Sequence, residues 1–507
     1  MTSQRDSARS FGMWKKLPRK LLAGLMVVTT LNGLRTALAM EATTETPRIL
    51  PRPRVEEYRG RWVVLCEAGE TLKIASTEDR ECPPAVGEGI ALFNKRIKVL
   101  GCEGARWAGS KNDSAVRIET ISPDALATML DAGNRERLEG QRLEQAYALE
   151  CGPAKSKGAA VVIRGSTPLG HYYGLVSLCQ LVEKNPGGGV RAPEVVVRDW
   201  PAIGIRLAKT SGTHNPLPVV QRYAAWLPLN KMSAMGIQFH GKNSKELGRF
   251  RKNVEVTCAK AQREGNLETI VYFCPFRGKA YDFEAAEDRQ AYVDLIHWIL
   301  DQGAHGIEVD YNDWPGEKTP IEDVINLACD AVNEKRPDAY VLYCPPNTGP
   351  SQYRGEATPE MTQILSQVPP KVWPLWTGMA TLITKPLTAK QVEQWTKDAG
   401  RRPFLWVNRV SLGVERAFSR PVEQGSDTHV FQGELLPKDL DRLFEGIHFN
   451  AGFSRDYNEL PQDFSAASLA YFSTAADYVW NPDDWEAAES VRRAKRFVEI
   501  MKPLIQE

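Results

Sequence analysis

The chain carries almost no net charge: 64 lysines and arginines stand against 63 aspartates and glutamates in 507 residues. Without a field of one sign, nothing draws in nucleic acid or an anionic membrane, and both are set aside as partners. Metal-binding cysteine pairs are missing too. None of the nine cysteines forms a CxxC, and no Cys/His cluster has zinc spacing. No GxGxxG or P-loop follows a strand-like run, which removes the usual nucleotide cradles. Neither metal nor cofactor is expected. No internal repeat is evident.

A long apolar run is also absent. The stretch Leu21 to Leu34 spans 14 residues and holds two Thr, an Asn and two Gly, whereas a membrane-spanning helix needs roughly 20 apolar residues. Arg5, Arg9, Lys15, Lys16, Arg19 and Lys20 precede it, and Ala37-Leu38-Ala39 follows with small residues at cleavage spacing. This pattern predicts an export signal over residues 1–39, a mature chain beginning near Met40, and a secreted or periplasmic location with no membrane attachment after cleavage. Residues 40–58, with Thr, Glu, Pro and Arg, read as a flexible lead-in. Cys179, Cys258 and Cys329 sit in apolar helical patterns, as buried thiols do. An exported chain has room for one or two disulfides among the nine.

Hydrophobic residues make up 42% and charged residues 25%, the make-up of a globular protein able to bury more than one core. Residues 59–200 read as an α+β unit with few strands: 62–66, 115–120, 147–151, 159–165 and a last one running into Asp199-Trp200-Pro201. Helical spacing covers 84–95 and 170–183. From 203 the pattern changes to strict alternation. Strands are predicted at 203–208, 234–239, 268–274, 305–311, 339–344, 371–375, 403–407 and 446–450. Helices fall between them at 216–228, 243–264, 284–302, 319–336, 358–367, 388–399 and 436–444, with another at 464–478. Eight strands alternating with helices predict an α/β fold, a (β/α)8 TIM barrel over residues 201–484, preceded by the small α+β domain and closed by a C-terminal helix within 485–507.

Chemistry in such a barrel belongs at the C-terminal strand ends. Strand four ends in Glu308-Val309-Asp310-Tyr311-Asn312-Asp313-Trp314-Pro315, the densest polar cluster at any strand end. Glu308 and Asp310 are two apart and share a face. Asp313 lies just beyond, where a general acid reaches a glycosidic oxygen, or where an aspartate caps the next helix. Strand six ends in Trp373-Pro374-Leu375-Trp376, strand seven in Trp406-Val407-Asn408, strand eight in Phe449-Asn450. Indoles stack on sugar C–H faces and amides pair with hydroxyls; the same tryptophans also serve as core. His240, after strand two, is either a polar contact or a loop histidine. Lys209 and Arg206 in strand one either bind a polar substrate group or balance Glu308 and Asp310 inside the barrel. Cys344 has no histidine nearby in sequence to activate it, so a thiol nucleophile is not expected.

Residues 147–206 (YALEC, AVVIRGSTPLGHYYGLVSLCQL, VVVRDWPAIGIR) resemble the domain that precedes the barrel in β-hexosaminidases and in the O-GlcNAcase/hyaluronoglucosaminidase family. The barrel resembles the latter, glycoside hydrolase family 84. Asn230-Lys231-Met232, Cys344-Pro345, WTG (376–378), RPFLWVN (402–408), FQGEL (431–435), GIHFN (446–450) and YFSTAADYVWNP (471–482) follow its motifs in order. The resemblance implies a retaining β-N-acetylhexosaminidase in which the substrate's own 2-acetamido oxygen attacks C1. One aspartate of a pair after strand four orients the amide, and the second protonates the leaving oxygen. Aligned on this chain, the pair falls on Asn312 and Asp313. The general acid is kept and the orienting aspartate is an asparagine, a change worth ~10²-fold in rate if it matches loss of one preorganised contact. Asp310 is the candidate to take over that role.

Asn408 and Asn450 match sugar contacts of that family. Its EGFYG after strand one is replaced by Lys209-Thr210-Ser211-Gly212-Thr213, its lysine after strand two by His240 or Lys242, and its WDN by Trp406-Val407-Asn408. The tyrosine of its CPT segment is missing. The expected site therefore comprises Asp313, Asn312, Asp310 and Glu308 for chemistry, with Tyr311, His240, Lys209, Trp376, Trp406, Asn408 and Asn450 holding a glycan. Two alternatives stand beside it: a glycan-binding protein on an inactive barrel, and a glycosidase using Asp313 with Asp310 or Glu308 as a conventional carboxylate pair.

Overall fold

A computed structural model describes residues 48–76, 81–108, 114–130, 138–154, 159–211, 215–239, 244–274, 281–311, 320–345, 357–379, 383, 385–407, 419–421, 429–449, 464 and 466–505. The expected export signal lies outside them.

The first unit is a mixed sheet. Its strands are β1 (Val55–Cys66), β2 (Thr71–Ser76), β3 (Gly104–Trp107), β4 (Val116–Thr120), β5 (Tyr147–Cys151), β6 (Val161–Gly165), β7 (Glu183–Lys184) and β8 (Val190–Asp199). They pair in the order β1-β8-β5-β6-β4-β2-β3, with β7 alongside β8. This is more strand than the sequence suggests. Strands β2 and β3 escape notice because TLKIAS and GARW mix charge into very short apolar runs. The helices are α1 (Pro84–Val99), α2 (Pro123–Leu130), α3 (Gly140–Glu144) and α4 (Pro168–Leu181). Helix α4 opens on Thr167, whose side chain accepts from Gly170 N, and every residue from Gly170 to Leu181 is buried. A helix apolar on all sides must be covered on all sides. Two glycines permit the approach: a Cβ on Gly174 would lie 2.4 Å from Ile163 of β6, and one on Gly89 of α1 would lie 2.7 Å from Leu175.

The second unit is a closed parallel barrel of β9 (Ile205–Ser211), β10 (Ala234–Phe239), β11 (Glu268–Phe273), β12 (Gly306–Asp310), β13 (Tyr340–Cys344), β14 (Val372–Trp376), β15 (Phe404–Val407) and β18 (Gly446–Phe449). Between β15 and β18 the chain adds a small antiparallel pair, β16 (Ser419–Pro421) and β17 (His429–Phe431), which the sequence did not announce. Helices α5 (Leu217–Leu229), α6 (Ser244–Glu264), α7 (Ala286–Asp301), α8 (Ile321–Lys335), α9 (Pro359–Gln367) and α10 (Ala389–Ala399) follow successive strands. The expected helix at 436–444 shrinks to α11 (Leu440–Leu443). Helix α12 (Ala466–Trp480) follows β18, and α13 (Ala487–Met501) packs against it through Val491, Ala494, Phe497, Val498 and Met501, an i, i+3, i+4 stripe. The architecture is the (β/α)8 barrel preceded by an α+β domain.

Two expectations need correcting. The lead-in is packed from Arg48 onward. Ile49 and Leu50 are buried, Leu50 exchanges backbone hydrogen bonds with the Gln180 side chain, Arg493 Nη1 donates to Ile49 O, and Asn481 Nδ2 donates to Pro53 O. Side chains of the folded body thus supply the partners that a loop of prolines and arginines would otherwise take from water. The nine cysteines are all free thiols, so the expected room for disulfides is unused.

The two units meet at Asp199, the last residue of β8. Its Oδ2 accepts from Lys231 Nζ at 2.7 Å and Tyr147 OH at 2.8 Å, and its Oδ1 accepts from Trp480 Nε1 at 2.7 Å. Neither charged side chain has any exposure. Removing one member of a buried pair leaves the other uncompensated. Asp199→Ala is expected to lower the unfolding free energy by ~3–5 kcal/mol, read from urea titration at neutral pH by tryptophan fluorescence. A loss well under about 1 kcal/mol, the level of an exposed pair, would show that this contact does not hold the junction.

Candidate active site

Strand residues alternate between the barrel axis and the helix layer. The register sorts the side chains. Ile205, Leu207, Ala234, Ile270, Leu342, Leu375, Phe404 and Trp406 form one buried cluster inside the barrel, with Tyr340 and Trp373 packed against it. Rings of Tyr340, Trp373 and Phe404 stack at 5.2 and 6.1 Å, and Gln141 of α3 donates to the Tyr340 hydroxyl. This apolar plug fills the lower barrel, as packed barrels require.

Nearer the C-terminal strand ends the interior turns polar. Lys209 of β9, Glu308 of β12 and His448 of β18 converge. Lys209 Nζ lies 3.9 Å from Glu308 Oε1, and His448 Nδ1 lies 3.8 Å from Glu308 Oε2. The ammonium sits 3.3 Å from the Tyr272 ring centroid and 5.0 Å from that of Trp406, and Trp406 stacks on His448 at 5.6 Å. All are buried. Yet Lys209 Nζ, both Glu308 oxygens, both His448 nitrogens, Trp406 Nε1 and Gln238 Oε1 have no hydrogen-bond partner among the described protein atoms. Buried polar atoms almost always find partners, so this concentration marks a place where something polar belongs.

Burial sets the charge states. It pushes the Glu308 carboxyl up to about 7 against the opposing pull of Lys209. The Lys209 ammonium is pushed below its ordinary value by the same burial, with Glu308 and Asp310 pulling back. His448 is held well below its usual range by burial and by Lys209, so its imidazole is neutral. Asp310 is buried at the end of β12, beside Cys344 across the β12–β13 register. Burial, then Asp310 and Glu308, hold the Cys344 thiol far above its ordinary value, which argues against a thiolate nucleophile.

The structure separates the expected residues into three groups. Lys209, Glu308, Asp310 and Trp406 come together on the axis. Tyr311 and Trp376 do not join them. Tyr311 packs outside the wall against Tyr343, with its hydroxyl donating to Ile321 O, and Trp376 stacks on Trp395 of α10 at 5.4 Å. Both belong to the layer between strands and helices; Trp376 is three residues from the inward Trp373, and odd spacing puts them on opposite faces. Arg206 is likewise odd-spaced from Lys209. It points away from the axis, donating to Lys231 O, to Gly204 O and, in the first unit, to Gln145 Oε1, so it does not balance Glu308. The third group, His240, Asn312, Asp313, Asn408 and Asn450, lies outside the described residues. His240, Asn408 and Asn450 directly follow β10, β15 and β18, and Asn312-Asp313 follow Tyr311. His448 and Gln238 were missed from sequence, although each stands two residues before a chosen one. Among the described residues, no group of three or more His, Cys, Asp or Glu is arranged to hold a metal ion.

Comparison with known proteins adds a direction. Residues 258–503 match the family model described as beta-N-acetylglucosaminidase. That segment begins in α6 and takes in β11 to β18 and the whole Glu308–Pro315 rim. No curated protein matches the chain. Solved structures with a similar fold include CpGH84D, at TM-score 0.61 and 17% identity, covering 90% of this chain and 72% of that one. The chitobiase of Flavobacterium johnsoniae gives 0.60 at 11%, covering 90% and 72%. The GH20 β-N-acetylhexosaminidase of Streptomyces coelicolor A3(2) gives 0.60 at 13%, covering 90% and 97%. At these identities the likeness is one of fold, and it does not choose between families 84 and 20.

Glu308 gives the barrel a pH signature. Its folded value of about 7 lies above the ~4.3 of an unfolded glutamate. The folded chain therefore keeps a proton that the unfolded chain has released, and stability is lost as pH rises through that window. Between pH ~5 and ~8 the thermal midpoint of the wild type is expected to fall further than that of Glu308→Gln, which cannot ionise. Parallel losses in the two proteins would remove Glu308 as the cause.

Proposed function

We propose that this chain is an exported glycoside hydrolase that cleaves β-linked N-acetylhexosamine from glycans, with retention and with help from the substrate's acetamido group. The observation that carries the reading is the family-model match over residues 258–503. The unpartnered polar interior beneath the strand ends supports a polyhydroxylated ligand. The basic and apolar stretches of residues 1–39 and Ala37-Leu38-Ala39 support export to a secreted or periplasmic location.

In this reading Asp313 is the acid/base. It gives its proton to the glycosidic oxygen as the C1–O bond breaks, while the acetamido oxygen bonds to C1 and forms an oxazolinium. It then takes a proton from the water that reopens the ring. Asn312 accepts from the amide N–H, and Asp310 supplies negative charge nearby. Asn408, Asn450, His240 and Trp406 contact the sugar. A second reading draws on Glu308: a buried carboxyl titrating near neutrality beside Asp310 is the equipment of a conventional carboxylate mechanism.

The test compares wild type with Asp313→Asn on a β-N-acetylglucosaminide. Turnover by the wild type is expected, with a loss of ~10²–10⁴-fold in the variant on a sugar leaving group. The loss should be smaller on a nitrophenyl leaving group, which needs little protonation. Inhibition by a sugar thiazoline is expected from acetamido participation; turnover indifferent to it favours the carboxylate mechanism. Glycan binding without turnover by the wild type would make the chain a binding protein.

A further inference from the structure

We propose that Lys209, Glu308 and His448 form a hydroxyl clamp on the barrel axis that selects an uncharged sugar. This rests on the glycosidase reading and names the class of sugar that the site accepts.

The geometry leads to the clamp. The three side chains come from β9, β12 and β18 and meet with gaps of 3.9 and 3.8 Å. These gaps are too wide for direct hydrogen bonds. A hydroxyl oxygen set about 2.8 Å from each of two such atoms spans the gap at an angle near 90°. It accepts from Lys209 Nζ and donates to Glu308 Oε1. A second hydroxyl fits the His448–Glu308 gap in the same way. Sugar hydroxyls both donate and accept, so one ligand type satisfies all three side chains. The indole of Trp406, stacked on His448 with its Nε1 also unpartnered, gives an adjacent apolar face and a further donor.

Charge narrows the ligand further. Among the described residues, the polar part of the axis holds two carboxyl groups, Glu308 and Asp310, one ammonium, Lys209, and the neutral imidazole of His448. An acidic sugar would bring an anion beside these carboxyls, where Lys209 is the cation that the described axis offers. The ammonium is already flanked by Glu308 and lies over the Tyr272 ring. The sugar that fits is neutral, with a free hydroxyl on its deepest edge.

Calorimetric titration with N-acetylglucosamine and with its 6-sulfate tests the clamp without turnover. The proteins are the wild type, Lys209→Met/Glu308→Leu, and Lys209→Met alone. The double variant removes the Lys209–Glu308 pair as a unit, and the single variant leaves a Glu308 carboxyl that stays protonated. The wild type is expected to bind the neutral sugar at least roughly tenfold more tightly than the sulfate. Both variants should lose roughly tenfold to hundredfold in affinity for the neutral sugar, the value of a hydrogen bond to a charged group. KM for a β-N-acetylglucosaminide should rise in parallel. Unchanged affinity in a folded variant overturns the clamp and leaves the glycosidase reading intact. Preference of the wild type for the sulfate overturns the neutral-sugar assignment. A folded wild type that neither binds nor hydrolyses either sugar overturns the glycosidase reading, and the clamp with it.

Discussion

One carboxylate, Asp199, ties the molecule together. Three donors from three separate parts of the chain meet on its two oxygens: Tyr147 from the first sheet, Lys231 from the turn after α5, and Trp480 from the end of α12. Lys231 holds a positive φ of 54° there, a conformation that a lysine adopts only where its surroundings impose it. Its carbonyl is taken up by the Arg206 guanidinium, whose plane lies over the Trp480 ring. Every polar atom in this knot that carries charge has a partner in hydrogen-bond range. That is the condition under which a buried ion pair orders a structure instead of weakening it.

The knot lies at the end of the barrel where strands begin, and the polar axis lies toward the end where they finish. The knot and the axis follow opposite rules. At Asp199 the charged groups are matched, and the Tyr340–Trp373–Phe404 stack seals the interior. Toward the upper end Lys209, Glu308 and His448 stand close without bonding. A lone glutamate among apolar residues would simply keep its proton. Held opposite a lysine by two strands whose lower ends are anchored, it is kept at 3.9 Å, within ion-pair range but too far for a direct hydrogen bond, and closed to solvent. Rigidity below is what makes unsatisfied polarity above sustainable.

The barrel was legible because its strands are Val/Ile-rich runs of period two separated by helices of ordinary length. The limits of β10, Ala234 to Phe239, coincide with those expected from alternation alone. What alternation leaves open is parity. Trp373 and Trp376 are equally good candidates for a sugar platform until the register sets Trp373 beside Leu342 on the axis. Trp376 is then forced outward onto Trp395. The same parity brings in His448, two residues before Asn450, which looked like an ordinary strand residue. The strap at 48–54 was illegible for a different reason. Its order comes from Gln180, Arg493 and Asn481, one of them about 130 residues away and the others more than 400, and no local pattern announces such partners.

Under the proposed mechanism, the asparagine at 312 in the sequence is to be weighed together with this interior. In acetamido participation, positive charge grows on the amide nitrogen as the ring closes, and a neutral acceptor meets it with a dipole only. A neighbouring carboxylate is the ordinary answer. In this chain Glu308 and Asp310 lie on the axis face of β12, opposite Lys209 inside a wall of low polarity. Charge there acts without contact, because few water dipoles remain to screen it. Under the proposed mechanism a carboxylate on that face favours a cationic ring over a neutral ground state, and it disfavours a substrate that arrives with an anion of its own. The proposed acetamido participation and the proposed choice of a neutral sugar then draw on the same charge.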